Sequence, residues 1–107
     1  MNMSADDVIH DSVRRLSNDV VATLGESYAA LVHDEVLRLQ QFIAAADPWF
    51  LQKLIEDVQQ RVHDEFVDTT WPTCPRHANH PLWFKEGWWW CEAENARLAE
   101  LGSLTTR

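Results

Sequence analysis

Residues 74–91 read Cys-Pro-Arg-His-Ala-Asn-His-Pro-Leu-Trp-Phe-Lys-Glu-Gly-Trp-Trp-Trp-Cys. This stretch holds both cysteines of the chain, two of its five histidines and four of its six tryptophans. Thiolate sulfur and imidazole nitrogen are the donors that build a tetrahedral Zn²⁺ site. Cys74 and His77 stand three residues apart, on a knuckle stiffened by Pro75. Residues 82–85 and 88–91 are aromatic-rich runs that suit strands, and Gly87 can supply the positive φ of a tight hairpin between them. If Lys85 pairs with Trp88, Leu82 lies opposite Cys91; a loop one residue longer puts Pro81 there. In both registers His80 sits beside Cys91 at the base of the hairpin. Cys74, His77, His80 and Cys91 are therefore expected to converge on one Zn²⁺, a closed structural set of two thiolates and two imidazoles.

A knuckle followed by a ligand-bearing hairpin resembles a zinc ribbon. The resemblance covers residues 74–94 and departs from the pattern at the second knuckle, where Glu94 stands three residues beyond Cys91 in place of a cysteine. Either Glu94 or His80 supplies the fourth ligand, and His80 is preferred because imidazole is the commoner companion of thiolate. A Cys74–Cys91 disulfide and a pair of reduced core cysteines are the competing readings. The N-terminus shows no secretory signal, which disfavours the disulfide and makes a cytoplasmic location the expectation.

Four protein ligands leave no open position for a catalytic water, so this zinc is expected to be structural and the chain not an enzyme. The His-x-Glu and Cys-x-x-Cys patterns of zinc deaminases do not occur in the sequence. Neither does Gly-x-Ser-x-Gly, and the glycines at 25, 87 and 102 are too scattered for a phosphate loop.

Strand alternation sorts the hairpin into two apolar faces. Leu82, Phe84, Trp89 and Cys91 share one; Trp83, Trp88 and Trp90 share the other. One face can close over the zinc knuckle. The second can pack on the rest of the chain, with Trp49 and Trp71 as neighbours, or be left for a partner. Trp83, Trp88 and Trp90 are the candidate partner-binding residues, because tryptophan is enriched at binding hot spots. Stacking on nucleic-acid bases ranks below a protein partner, since only Arg76 and Lys85 bring positive charge nearby.

The segment must be carried by what precedes it, and residues 1–67 read as helix almost throughout. Ser4 with Asp7 resembles a capped start, and Ile9, Val13, Leu16, Val20 and Leu24 then recur on one helical face. Gly25 is a plausible break. A second stripe follows in Tyr28, Val32, Val36, Leu39 and Ile43, widened by Leu31. Asp47-Pro48 both ends that helix and starts a third over 48–67, with Leu51, Leu54, Val58 and Val62 inward. His33-Asp34-Glu35 and His63-Asp64-Glu65 echo one another, but His33 and Glu35, two apart, point to different faces of a helix, so a solvated face with a partly buried histidine is the better reading. After Cys91, residues 92–101 are expected to add a helical turn or two.

The fold class expected is mainly α: an antiparallel body of about three helices over 1–67, a zinc-stapled β-hairpin over 68–101, and a loose tail over 102–107. Net charge is −8, with twelve acidic against five basic side chains in residues 1–67 and five against four in 68–107. Such a body repels phosphate backbones and makes nucleic acid an unfavoured partner. No apolar run is long enough to span a bilayer. The function expected is a small zinc-binding protein-interaction module, an adaptor or regulator, whose amphipathic helices could also self-associate. A nucleic-acid-binding zinc ribbon and an acidic decoy for a nucleic-acid-binding protein are the alternatives.

Overall fold

The computed structural model describes residues 5–44, 47–65, 71–74 and 81–104, with the side chains of residues 5–8 left out. Helix α1 spans Ala5–Leu24. Its stripe does what the spacing demands: Leu16 and Val20 are fully buried, and Ile9, Val13 and Leu24 pack against the margin of the core. The expected cap at Ser4 lies outside the described residues. Gly25 ends the helix at φ 109°, a left-handed conformation that side chains resist. A single 3₁₀ turn, Glu26–Tyr28, leads into α2, Ala29–Leu39.

Helix α2 is shorter than its stripe suggested. The Leu39 carbonyl accepts the Phe42 and Ile43 amides, both at 2.9 Å, and the chain turns away. Beyond Leu39 only half-buried Ile43 could anchor another turn, and a helix gains most of its stability from the face it buries. Asp47 then organises the next start. Its carboxylate accepts the Trp49 amide at 2.8 Å and its carbonyl accepts the Phe50 amide at 3.0 Å, and α3 runs Phe50–Glu65. Phe50 and Ile55 are buried beside Leu54, Val58 and Val62, whereas Leu51 is only half-buried. The inward stripe of α3 is wider than predicted because the helix is covered both by α1 and α2 and by the sheet.

The sheet has three antiparallel strands in the order β1-β2-β3: β1 Trp83–Lys85, β2 Trp88–Cys91 and β3 Ala96–Glu100. Lys85 pairs with Trp88, Phe84 with Trp89 and Trp83 with Trp90, the shorter-loop register. Glu86 at φ 53° and Gly87 at φ 86° form the two-residue turn that this pairing needs. The third strand replaces the helical turns expected after Cys91. Residues 92–95 make a tight turn instead, closed by the Asn95 amide on the Glu92 carbonyl and by Asn95 at φ 49°. Ala-Arg-Leu-Ala-Glu favours helix by propensity, but pairing with the open edge of β2 overrides that preference.

Helices and sheet share one core. Leu16, Val20, Leu54 and Val58 belong to the same buried cluster as Trp71, Leu82, Phe84, Trp89 and Leu101, so the acidic body and the hairpin region fold around common contents. The segment 102–104, expected to be loose, is tied down: the Gly102 and Leu104 amides donate to Asp19 on α1 at 2.8 and 2.9 Å. Gln59 joins α3 to the other arm, its amide nitrogen donating to the carbonyls of Trp71 at 3.3 Å and Leu82 at 3.0 Å. Gln59→Ala should lower stability by about 1–2 kcal/mol, read as an earlier midpoint in urea unfolding with helix content unchanged.

Candidate metal centre and tryptophan face

Two α1 residues one turn apart set the position of everything downstream. The Asp19 carboxylate, fully buried, accepts the Trp89 indole N–H at 2.8 Å. Thr23 accepts the Trp71 indole N–H at 2.8 Å while donating its own hydroxyl to the Asp19 carbonyl at 2.6 Å. The two indoles meet edge to face with centroids 5.6 Å apart, and Phe84 packs on Trp89 in the same manner at 5.7 Å. The inner face of the sheet is thereby fixed on α1, and with it the strand that carries Cys91.

Cys74 reaches the same place from the opposite side. The Leu82 amide donates to the Pro72 carbonyl at 2.8 Å, and Thr73 bridges to Pro81, so residues 72–73 run alongside the start of the hairpin. Cys74 and Cys91 are each 1% exposed, and their sulfurs stand 3.6 Å apart. A disulfide would require about 2.05 Å. Two thiolates bound at about 2.3 Å to one tetrahedral ion stand about 3.8 Å apart, and two thiols in hydrogen-bond contact stand as close, so the spacing is that of unbonded sulfurs and accommodates a shared ion. The Glu94 carboxylate lies 3.8 Å from the Cys91 sulfur, across the turn that follows β2.

Burial pushes the Cys91 thiol above its ordinary value, and the nearby Cys74 and Glu94 add to this against the opposing pull of the Glu94 amide. A bound cation would reverse that balance, because metal coordination holds cysteine as thiolate. His77 and His80, the other two predicted ligands, lie outside the described residues. Among the described residues no group of three or more His, Cys, Asp or Glu side chains is arranged to hold a metal ion.

The two faces of the hairpin separate as the alternation predicts. Leu82, Phe84, Trp89 and Cys91 are buried; Trp83 is 52% exposed, and Trp88 and Trp90 are half-buried on the outer side. The inner face serves both the cysteines and the helices, so the expected division of one face for zinc and one for the body does not occur. Trp71 joins that inner packing, whereas Trp49 sits 72% exposed at the start of α3.

On the outer face the chain lays its own cations over tryptophan rings. The Lys85 ammonium lies 5.2 Å from the Trp90 ring centre, and the Arg97 guanidinium lies 5.3 Å from that of Trp88 and 5.4 Å from that of Trp90.

Compared with family models, curated proteins and solved structures, the chain finds no match. The likeness to a zinc ribbon therefore rests on residues 74–94 alone. None of the described helices is long and apolar enough to cross a membrane.

Asp19 and Arg97 are the residues that sequence reasoning passed over. A lone Asp among Leu16, Val20 and Leu24 at helical spacing was a usable signal, since it falls on the inward side of α1. Arg97 could be placed only once residues 96–100 were known to be a strand.

Proposed function

We propose that this chain is a small zinc-binding protein-interaction module in which a structural Zn²⁺ held by Cys74 and Cys91 staples the β-sheet, and the outer tryptophans dock another protein. The observation that carries this reading is the pair of buried sulfurs 3.6 Å apart, directly behind a strand that exposes tryptophan on its other side. His77 and His80 complete the ligand set in this reading. Held by these four residues, the ion would supply a cross-link between residue 74 and the end of β2. No reaction is assigned to the chain. Self-association would use exposed apolar side chains of the helical body, among them Leu37, Phe42 and Trp49 at 51, 78 and 72% exposed.

The acidic balance of the chain opposes phosphate binding, which favours a protein over a nucleic-acid partner. The test is isolation from the native cell under non-denaturing conditions, with metal content and co-isolated protein read by native mass spectrometry. One zinc per chain and a stoichiometric protein partner are expected. Trp88→Ala should release the partner and keep the zinc. Chain isolated from the native cell without any bound metal would overturn the staple, and a partner retained by Trp88→Ala would overturn the docking face.

A further inference from the structure

Trp83 differs from its two neighbours on the outer face. Trp88 and Trp90 each carry a cation of this chain over the ring, whereas among the described residues Trp83 has none. It is also the most exposed of the three and forms one wall of a groove of about 390 Å³ between α3 and the start of β1. Trp71 and Pro81 extend that wall; Glu56, Gln60 and His63 form the facing one on α3.

Glu56 has a matching vacancy. The basic side chains of α3 are engaged with other carboxylates: Lys53 lies 3.0 Å from Asp57, and Arg61 lies 3.0 Å from Glu65 and 3.3 Å from Glu35. Among the described residues no cation pairs with Glu56, although it faces the groove. An open indole ring and an uncompensated carboxylate on two walls of one groove are the two groups that recognise an alkylammonium or a guanidinium. The groove is also held in shape, because Gln59 fastens α3 to the Trp71 and Leu82 carbonyls beneath it.

We infer that this groove receives an arginine or lysine side chain from a basic segment of a partner protein, the cation stacking on Trp83 and pairing with Glu56. The inference rests on the protein-partner reading above and names the chemistry of that partner. The chain charge of −8 draws a basic segment toward the groove and repels anionic ligands such as nucleic acid or an acidic membrane surface. The contact also repeats, between molecules, the packing of Lys85 and Arg97 on Trp90 within this one.

The probe is a capped peptide alternating glycine with three arginines, compared with the same peptide carrying neutral, isosteric citrulline, at about 0.15 M salt where diffuse surface attraction is screened. Binding is measured by calorimetry, and its location by the shift of the Trp83 indole N–H resonance. The arginine peptide should bind and shift Trp83, and the citrulline peptide should not. Glu56→Gln and Trp83→Ala should each weaken binding about five- to tenfold, as loss of one cation contact implies. Glu26→Gln makes the same change in net charge at an exposed site elsewhere and should leave affinity within about twofold. Both groove substitutions are at exposed positions, so unchanged melting curves will show that the fold is intact.

Equal binding of the citrulline peptide, equal weakening by Glu26→Gln, or absence of binding would each overturn the inference. A natural partner that depends on Trp88 but is indifferent to Glu56→Gln would also sink it while leaving the interaction module in place.

Discussion

Asp19→Ala should destabilise the fold by about 3–5 kcal/mol, enough to leave a domain of this size close to unfolding. The carboxylate is fully buried and satisfies three donors at once: the Trp89 indole and the Gly102 amide on one oxygen, and the Leu104 amide on the other. Alanine removes every acceptor and leaves the buried Trp89 indole N–H and the part-buried Gly102 and Leu104 amides without their partner, at about 1–3 kcal/mol apiece before relaxation and rehydration. The C-terminal segment and the inner face of the sheet would loosen from α1 together, because Trp89 and residues 102–104 share this one anchor. Asparagine is the milder test. It retains a single acceptor oxygen, and its amide nitrogen confronts another donor, so a loss of about 2 kcal/mol is expected. Urea unfolding followed by tryptophan fluorescence measures both.

The same residue gives a pH dependence with a definite sign. Burial pushes the Asp19 carboxyl above its ordinary value of 3.8, against the pull of its three donors. A carboxyl raised in the folded state binds its proton earlier on acidification than the unfolded chain does. Its contribution to stability is therefore fully present below the ordinary value and is lost as pH climbs through the folded value. The stability gap between wild type and Asp19→Asn should widen as pH falls from about 7 toward about 4. A gap that narrows would mean that the three donors outweigh burial.

The contrast between Asp19 and the hairpin explains what could be read from the sequence. The hairpin declared itself because its signals are local: two-residue alternation of aromatics around Glu86-Gly87 sets the register and sorts Trp83, Trp88 and Trp90 from Trp89 and Cys91 without reference to the rest of the chain. The stripes of α1 and α2 were legible for the same reason. Features that depend on contacts far along the chain were not. Residues 96–100 look helical in isolation and become a strand only because β2 offers an open edge. Asp19 could be placed on the inward side of α1 from its spacing, but its partners were not legible until residues 102–104 return to it. The inward positions Phe50 and Ile55 also lie at helical spacing, four before Leu54 and three before Val58, so the wider stripe was available to periodicity. For the candidate site, the hairpin register placed His80 beside Cys91, a position outside the described residues; the approach of Cys74 to Cys91 followed only from the expectation of a shared ion, and the burial of both sulfurs was not legible.

That burial changes what removal of the metal should do. If the hairpin had no other core, loss of Zn²⁺ would unfold it outright, as in small zinc fingers. Here Leu82, Phe84 and Trp89 remain packed on the helices, and Asp19 still holds Trp89. The two thiols can also stay neutral without the ion, since burial already pushes Cys91 upward, so the metal-free core carries no stranded charge. Chelation should therefore lower the thermal midpoint steeply, by about 10 °C or more, while helical circular dichroism at room temperature persists. The damage should appear first as access: Cys74 and Cys91 should react with a thiol reagent many times faster in the metal-free chain. Cys91→Ser should reproduce the lowered midpoint by itself, and a chelator added to that variant should do nothing further, because the two perturbations remove the same cross-link. If chelation leaves the wild-type midpoint and thiol reactivity unchanged, the cysteines are packing residues and the staple is wrong. If the chelated chain instead loses its helical signal at room temperature, the contacts through Trp89 are weaker than the ion, and the sheet and helices depend on the metal as one unit.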